Sequence, residues 1–514
     1  MGRGRLLLRG GLVADGIGAE AERGDVLIEG PAIVAAGARG VDPAGCEVID
    51  LSPGSVVCPG FIDAHAHAEG PLLADGRVEG ALAQGVTTLV TGQDGQSWIG
   101  ATAATAHYLN EYFGPVNGVL QPVRQLSVAG YRDALAGRLS QNVAVLASQG
   151  TIRHNVAGLA PDPLASEELA AARRQVEDAL GAGAVGMSSG LDYLPSRLGA
   201  AEEIAVIARP LAAADRPYVS HLRGYGPEVR AGLAELVAVG RQAGVRVHAS
   251  HLWGAPTDLE AAFGAAEGVA LSYDMYPYRR SSTILAMLLL PAGLQAQGPA
   301  RTLAALTDRR QRAELLAQEK FSDGFLRVLY LGTLPGELAG FAGLPVTEAA
   351  RRTGQPAGEW VLDLLVRSRL AVGAHLDRPA LAGSHLSWLV SDDRHCAGSD
   401  GIYQGQHPHP RGYAAFARLA AHYTAGGSAA GYQVLARHLA ATAADVYRLR
   451  DRGRLAPGMA ADICVLSPGG ITARATYDAP RRLATGAGLV LVNGVCVWRD
   501  GQLVPGRFPG RLVS

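Results

Sequence analysis

Val56-Val57-Cys58-Pro59-Gly60-Phe61-Ile62-Asp63-Ala64-His65-Ala66-His67 is an apolar run that ends in a His-x-His pair. Successive residues of a β-strand point to opposite faces, so residues two apart share a face. A His-x-His pair leaving a buried strand therefore aims two imidazoles at one point. Neutral imidazole is a ligand for zinc and its neighbours. Whether this pair is one edge of a metal site depends on what stands at the ends of later strands.

Apolar β-type stretches recur downstream at 86–90, 143–147, 185–188, 218–220, 245–250 and 269–273, and again near 388–391 or 396–399. Segments rich in Ala, Leu, Arg and Glu lie between most of them, as at 167–180, 228–242 and 300–317. Strand–helix alternation predicts a parallel sheet in an α/β fold. Counting the strand that carries Phe61, there are about eight strands, the number of a TIM-like (β/α)8 barrel. The stretch from Gly293 to Leu381 is long for one βα unit, so a helical insertion or lid is expected around 290–385.

The two ends of the chain read differently. Residues 5–57 show short strands at 5–9, 25–29, 33–37 and 46–51, separated by turns rich in Gly, Asp and Ala. The tail repeats this character at 461–466, 489–492 and 495–499. Neither end alone can bury much of a core. Together, 1–57 and 456–514 are expected to form one small β-sandwich, with the catalytic barrel of 58–455 inserted between them.

Composition excludes several partners. With 46 Lys and Arg against 47 Asp and Glu, the formal net charge is -1. The basic residues are scattered, so neither nucleic acid nor an anionic membrane is an expected partner. No stretch approaches the roughly 20 apolar residues of a membrane span. The N-terminal stretch has only three consecutive apolar residues, too few for a secretory signal. The five cysteines are odd in number and form no CxxC pair, so reduced thiols in a cytoplasmic protein are expected.

In such a barrel, chemistry sits at the C-terminal ends of the strands. Strand one ends in His65 and His67, strand two in Gln93-Asp94-Gly95, and strand five in Ser220-His221. Strand six ends in His248-Ala249-Ser250-His251, and strand eight in Ser399-Asp400-Gly401. His221 and His251 are one βα unit apart, which makes them neighbours around the rim. Imidazoles and carboxylates at five strand ends point to a metal site rather than to unrelated loops.

Pro59-Gly60-Phe61-Ile62-Asp63-Ala64-His65-Ala66-His67 resembles the strand-one motif of the amidohydrolase superfamily. More narrowly, the chain resembles the N-acyl-D-amino-acid deacylase (D-aminoacylase) family. Gly150-Thr151-Ile152-Arg153, Gly186-Met187-Ser188-Ser189-Gly190-Leu191-Asp192-Tyr193-Leu194-Pro195 and Asp274-Met275-Tyr276-Pro277-Tyr278 carry that resemblance. So do Gly398-Ser399-Asp400-Gly401, His409-Pro410-Arg411 and Leu455-Ala456-Pro457-Gly458-Met459-Ala460-Ala461-Asp462. It covers nearly the whole chain. It implies a barrel plus a β-sandwich, and metal-assisted hydrolysis of an amide with metal-bound water as nucleophile.

By the same resemblance, Asp400 is the acid/base that takes the water's proton and returns it to the leaving amine. His221 and His251 resemble the ligands of a tightly bound zinc, and His65 and His67 those of a second, often weaker, position. Tyr193 resembles the residue that hydrogen-bonds the scissile carbonyl. Arg411 resembles an arginine that holds the substrate carboxylate. One or two divalent ions are expected, zinc first and manganese or cobalt as alternatives.

Three positions depart from the pattern. Asp94 stands where the family usually has Cys. An aspartate can bind zinc or bridge two ions, so Asp94 is expected as a metal ligand. Trp253 stands where a Lys helps to hold the substrate carboxylate, which removes a charge and adds a flat apolar face. Gln149 stands where His is common. The expected substrate is a small N-acyl amine, most simply an N-acyl-D-amino acid. A cyclic amide, a peptide-like natural product, and a non-catalytic binding subunit remain as other readings. Oligomeric state is not legible.

Overall fold

The computed structural model describes residues 4–378, 381 and 383–514. Residues 1–3 of the N-terminal stretch, and 379, 380 and 382 of the expected insertion, lie outside it. Among the described residues, eight short strands run parallel. They are β1 (Phe61–Asp63), β2 (Val86–Thr91), β3 (Asn142–Val145, continued by Ala147–Ser148) and β4 (Met187–Gly190). β5 (Tyr218–His221), β6 (Val247–Ala249), β7 (Leu271–Met275) and β8 (His395–Ala397) follow. β1 to β3 form one sheet, and the continuation of β3 through β8 another. Backbone bonds on both sides of Leu146 link the two: Leu146 N donates to Thr91 O, and Ala147 N to Gly186 O, both at 2.9 Å. At the far edge Ala64 N donates to Ala397 O at 3.0 Å, and Ala66–His67 pairs in parallel with Gly401–Ile402.

The two-residue period of the strands sorts their side chains. Phe61, Leu89, Val143 and Tyr218 pack against helices. Ile62, Val90, Ala144, Val219 and Cys396 gather on the other face around Tyr447. The intervening helices show the complementary stripe. In Val229–Ala243, the buried residues Val229, Leu233, Leu236, Val237 and Gly240 recur at helical spacing.

Three expectations are corrected in detail. Residues 388–391 belong to the helix Gly383–Ser391, so the last strand is the later alternative, at His395–Ala397. The helical stretch 300–317 divides at Asp308, whose extended backbone ends one helix and whose carboxylate accepts from Gln311 N at 2.9 Å to cap the next. The insertion between β7 and β8 is not helical alone. It begins with Ser281–Ile284, which pairs antiparallel with Gly373–Leu376, itself paired with Leu329–Leu331. The helices around this small sheet share an apolar cluster that includes Leu289, Leu306, Trp360 and Leu365.

Both ends of the chain meet in a separate nine-stranded sheet. Arg5–Val13, Glu22–Glu29, Ala32–Ala38, Cys46–Asp50 and Val56–Pro59 come from the start, and Ile463–Leu466, Ala487–Val492, Val495–Arg499 and Gln502–Leu503 from the end. The seam is Val56–Pro59 against Ile463–Leu466, with Val57 opposite Val465. The opening apolar run is therefore split between two sheets at Gly60. A Cβ on Gly60 would overlap the Thr87 side chain of β2, so the chain crosses between layers where only glycine leaves room. A buried polar knot joins the layers. Asp462 pairs with Arg452, accepts from Asn142 Nδ2 at 2.9 Å, and accepts from Asn493 N at 2.7 Å.

Among the described residues no helix is long and apolar enough to cross a membrane. All five cysteines are free thiols. Gly60→Ala is expected to destabilise the protein by about 1–3 kcal/mol through overpacking against Thr87. Its denaturant midpoint, measured against the parent, checks this, and an unchanged midpoint would mean that the layers can part freely.

Candidate metal centre

Four imidazoles and two carboxylates converge at the C-terminal ends of the strands. Asp94 lies at their centre. Its Oδ1 is 3.6 Å from His65 Nε2 and 3.7 Å from His251 Nε2. Its Oδ2 is 3.6 Å from His67 Nε2 and 3.8 Å from His221 Nδ1. Asp400 Oδ1 lies 3.4 Å from His67 Nε2 and 3.8 Å from His65 Nε2. Two groups, His65 with Asp94 and His251, and His65 with His67 and Asp400, have the spacing of ligands to one ion. His221 Nδ1 is 3.0 Å from His251 Nε2, so both nitrogens also face a common point.

Each imidazole is aimed from behind. His65 Nδ1 lies 3.4 Å from Asp274 Oδ2, and His67 Nδ1 lies 2.8 Å from Asn117 Oδ1. His221 turns Nδ1 inward because Asp192 Oδ2 holds its Nε2 at 3.3 Å. Asp274 Oδ1 accepts from the His251 backbone N at 2.9 Å, while Oδ2 faces His248 Nε2 at 3.1 Å. Partners of this kind fix ring orientation and raise ligand basicity. His248 itself stays outside the cluster.

The backbone at the site is unusual. Asp94, His251 and Asp400 have φ values of 56°, 36° and 48°, in the left-handed region that side chains seldom adopt. Such strain persists where the surroundings over-determine it. For Asp94, Gly190 supplies part of that determination. A Cβ on Gly190 would overlap the Asp94 carbonyl, so the β4 end approaches the Asp94 turn closely only as glycine. For Asp400, the neighbouring Ser399 is tied down. Its N and Oγ donate to Asp63 at 2.8 and 2.5 Å, and Asp400 N donates to His65 O at 2.8 Å.

Electrostatics match the geometry. Burial alone would raise the Asp94 carboxyl, but His65 and then the other three imidazoles hold it well below the usual carboxylate range. Burial likewise opposes charge on His67, and the carboxylates of Asp400 and Asp94 outweigh it, pushing the imidazole up to about 10. His221 reaches about 9 against burial, through Asp192 and Asp94. Asp400 stays below its ordinary value despite burial, chiefly because Arg411 Nη2 donates to its Oδ1 at 2.7 Å. The cluster is a dense set of donors with unmet demand. His65 Nε2 and Asp94 Oδ1 are buried and have no hydrogen-bond partner among the described residues. A divalent cation fits this nitrogen-and-oxygen set.

A cavity of about 240 Å³ opens beside the cluster, lined in part by Asp192, Tyr193, His221, His251, Trp253 and Asp400. Tyr193 is buried, its hydroxyl 2.7 Å from Thr283 Oγ1 and its ring centroid 4.8 Å from that of His221. Trp253 forms another part of the wall. Arg411 is fully buried behind Asp400 and does not line the cavity, although its Nε and Nη1 have no partner among the described residues. Gln149 is buried with both amide atoms unpartnered among those residues.

All nine expected site residues thus fall in one region. Others escaped the sequence reading. Asp274, next to last in β7, and Asp63, last in β1, were legible as strand-end carboxylates and were passed over. Asn117 ends the one-turn helix Gly114–Asn117, Asp192 lies in a turn, and neither carries a periodic signal.

The chain is similar to known proteins along nearly its whole length. Residues 344–504 match the model of the amidohydrolase family. The N-acyl-D-glutamate deacylase of Alcaligenes xylosoxydans xylosoxydans is 32% identical, with 99% of this chain and 96% of that protein aligned. The N-acyl-D-glutamate deacylase of Bordetella bronchiseptica, solved with zinc and a phosphonate mimic of the tetrahedral intermediate, superposes with a TM-score of 0.82 at 27% identity, covering 100% of both chains. A D-aminoacylase structure with a binuclear metal centre gives 0.80 at 26% identity over 99% of each chain.

Gly190→Ala should push Asp94 out of place and lower bound divalent metal while leaving the far-ultraviolet dichroism intact. Asp94→Ala should lower it further. Elemental analysis of the purified variants reads both, and full metal content in Asp94→Ala would remove Asp94 from the ligand set.

Proposed function

The chain belongs to the N-acyl-D-amino-acid deacylase (D-aminoacylase) family of the amidohydrolase superfamily, and on that premise we propose that it is a metal-dependent amidohydrolase that removes the acyl group from an N-acyl-D-amino acid or a related N-acyl amine. The observation that carries this reading is the Asp94 carboxylate set 3.6–3.8 Å from four imidazoles, with Asp400 beside them and a cavity in front.

His65, His67, Asp94, His221 and His251 would hold one or two divalent ions, zinc first and manganese or cobalt as alternatives. The unpartnered His65 Nε2 and Asp94 Oδ1 support that assignment. When bound, such an ion supplies Lewis acidity toward the amide carbonyl and lowers the pKa of water. Asp400, kept anionic by Arg411, accepts the proton of the attacking water at a carboxylate oxygen. It then gives that proton to the leaving nitrogen, so the amine departs neutral. The Tyr193 hydroxyl lies 2.7 Å from Thr283 Oγ1, and with Thr283 as the donor it keeps its own proton for the scissile carbonyl. Arg411 holds Asp400 in place through Nη2, and its free Nε and Nη1 keep it a candidate for the substrate carboxylate. Trp253 offers the substrate a flat wall.

Asp94 also bears on the cyclic-amide reading. Hydantoinases and dihydroorotases of the same superfamily usually carry a carboxylated Lys as the bridging ligand, and β4 here, Met187–Gly190, holds none, which argues against those enzymes and not against other cyclic amides. A carboxylate already occupies the place between the imidazoles.

The same reading extends to architecture. The bonds at Leu146 and Ala64 support one closed TIM-like barrel across 58–455. Val26, Ile28 and Ile33 share a core with Ile463, Val465 and Leu491, which supports a sheet folded over as a β-sandwich of 1–57 and 456–514. Free thiols support a reducing, cytoplasmic setting.

A screen of N-acyl-D- and N-acyl-L-amino acids with Zn²⁺, Mn²⁺ and Co²⁺ tests the proposal, and cleavage of D-substrates is expected. Asp400→Asn should lower kcat by about 10²–10⁴-fold with metal retained. Full turnover in that variant would overturn the assigned mechanism.

A further inference from the structure

The insertion delivers an arginine to the cavity. Arg378 follows the strand Gly373–Leu376 and lines the same cavity as His221, His251 and Asp400. It is 7% exposed, yet it forms no ion pair among the described residues. Its neighbour Asp377 is already bound by Arg279, through Nε–Oδ1 at 2.6 Å and Nη2–Oδ2 at 2.7 Å. Arg378 Nε donates to Arg279 O at 2.9 Å, which fixes the plane of the guanidinium. Its Nη2 is buried and has no partner among the described residues. The guanidinium carbon lies 4.6 Å from the centroid of the Trp253 ring.

A buried guanidinium without a counter-ion is costly. Stacking on an aromatic face offsets only a small part of that cost. What balances it is an anion presented from the cavity, and an arginine fork suits a carboxylate. Trp253 stands where the family resemblance expects a positively charged Lys. The charge is not lost from the cavity: Trp253 positions an arginine borrowed from the insertion. Arg411 cannot serve as freely, since one edge of its guanidinium is committed to Asp400. Met287, Leu288 and Leu376 line the same cavity and suit the hydrocarbon part of a ligand.

We propose that Arg378, stacked on Trp253, is the residue that recognises the substrate carboxylate in this protein. The proposal rests on the amidohydrolase reading of the site and names the residue that selects an N-acyl amino acid over an uncharged amide.

The test compares an N-acyl-D-amino acid with its carboxamide, using the metal-loaded parent, Arg378→Met and Arg378→Lys. Arg378→Met should raise KM for the carboxylate substrate by about 10–100-fold, the scale of a charge-assisted hydrogen bond. Its kcat should stay within a few-fold, and the carboxamide should be handled as by the parent. Arg378→Lys should recover part of the loss. Thermal melting of each variant guards against unfolding. Calorimetric binding of the same carboxylate to Asp400→Asn, with and without Arg378→Met, gives a readout free of turnover. Turnover that is indifferent to Arg378, or a loss shared by acid and carboxamide, overturns the proposal and leaves the hydrolase reading standing. Arg378-dependent binding without turnover in the parent keeps the proposal and overturns the hydrolase reading. Neither turnover nor Arg378-dependent binding overturns both.

Discussion

Asp94 is a carboxylate in the interior, and the surrounding structure is arranged to meet the demands of that charge. An isolated buried anion is strongly disfavoured. Here four imidazoles surround it at nearly equal distances, two on each oxygen. Its backbone sits in a left-handed turn that the close approach of β4 at Gly190 enforces. Ends of β1, β2, β5 and β6 must all arrive at this point, which fixes how those strands stagger around it.

The histidines depend in turn on groups behind them. Asp274 is the most connected, reaching His65, His248 and the backbone of His251. Its own charge is held by the imidazoles, with its carboxyl far below the usual range even though burial acts against it. Asp63 differs. Burial raises its carboxyl to about 7, outweighing the hydrogen bonds from Ser399 Oγ and from the Ser399 and His65 amides and the smaller effect of the His65 imidazole. Asp274 therefore belongs to the charged network, and Asp63 braces the Asp400 turn through hydrogen bonds.

Much of this arrangement was legible in the chain because strand ends in an α/β fold project to one rim. His65, His67, Asp94, His221, His251 and Asp400 each follow an apolar run, and each reaches the rim. Legibility fails where position comes from a loop or from another layer. Asn117 reaches His67 from the end of a one-turn helix too short to show a pattern. Arg378 arrives on an insertion whose antiparallel strands are only three or four residues long, too short to show alternation in the sequence. The division of the opening run at Gly60 is hidden because both halves are equally apolar. Only the tertiary contact with Thr87 separates them.

The sheet shared by the two ends sets the order in which a growing chain can complete its fold. Val57 pairs with Val13 on one side, but on its other side it finds Val465 only after every residue of the parallel-stranded layer has left the ribosome. Until then Val56–Pro59 presents an open edge, and open edges invite pairing with foreign chains. Arg5–Val13 and Glu22–Glu29 can already form their own ladder in that interval. They cannot yet bury the face that meets Ile463 and Leu491. The metal-ligand layer can thus organise before the layer that braces it is finished. The seam closes near Cys58 and Cys464, a few residues from the imidazole pair at His65 and His67, and the strands of 487–503 can join the sheet only after it.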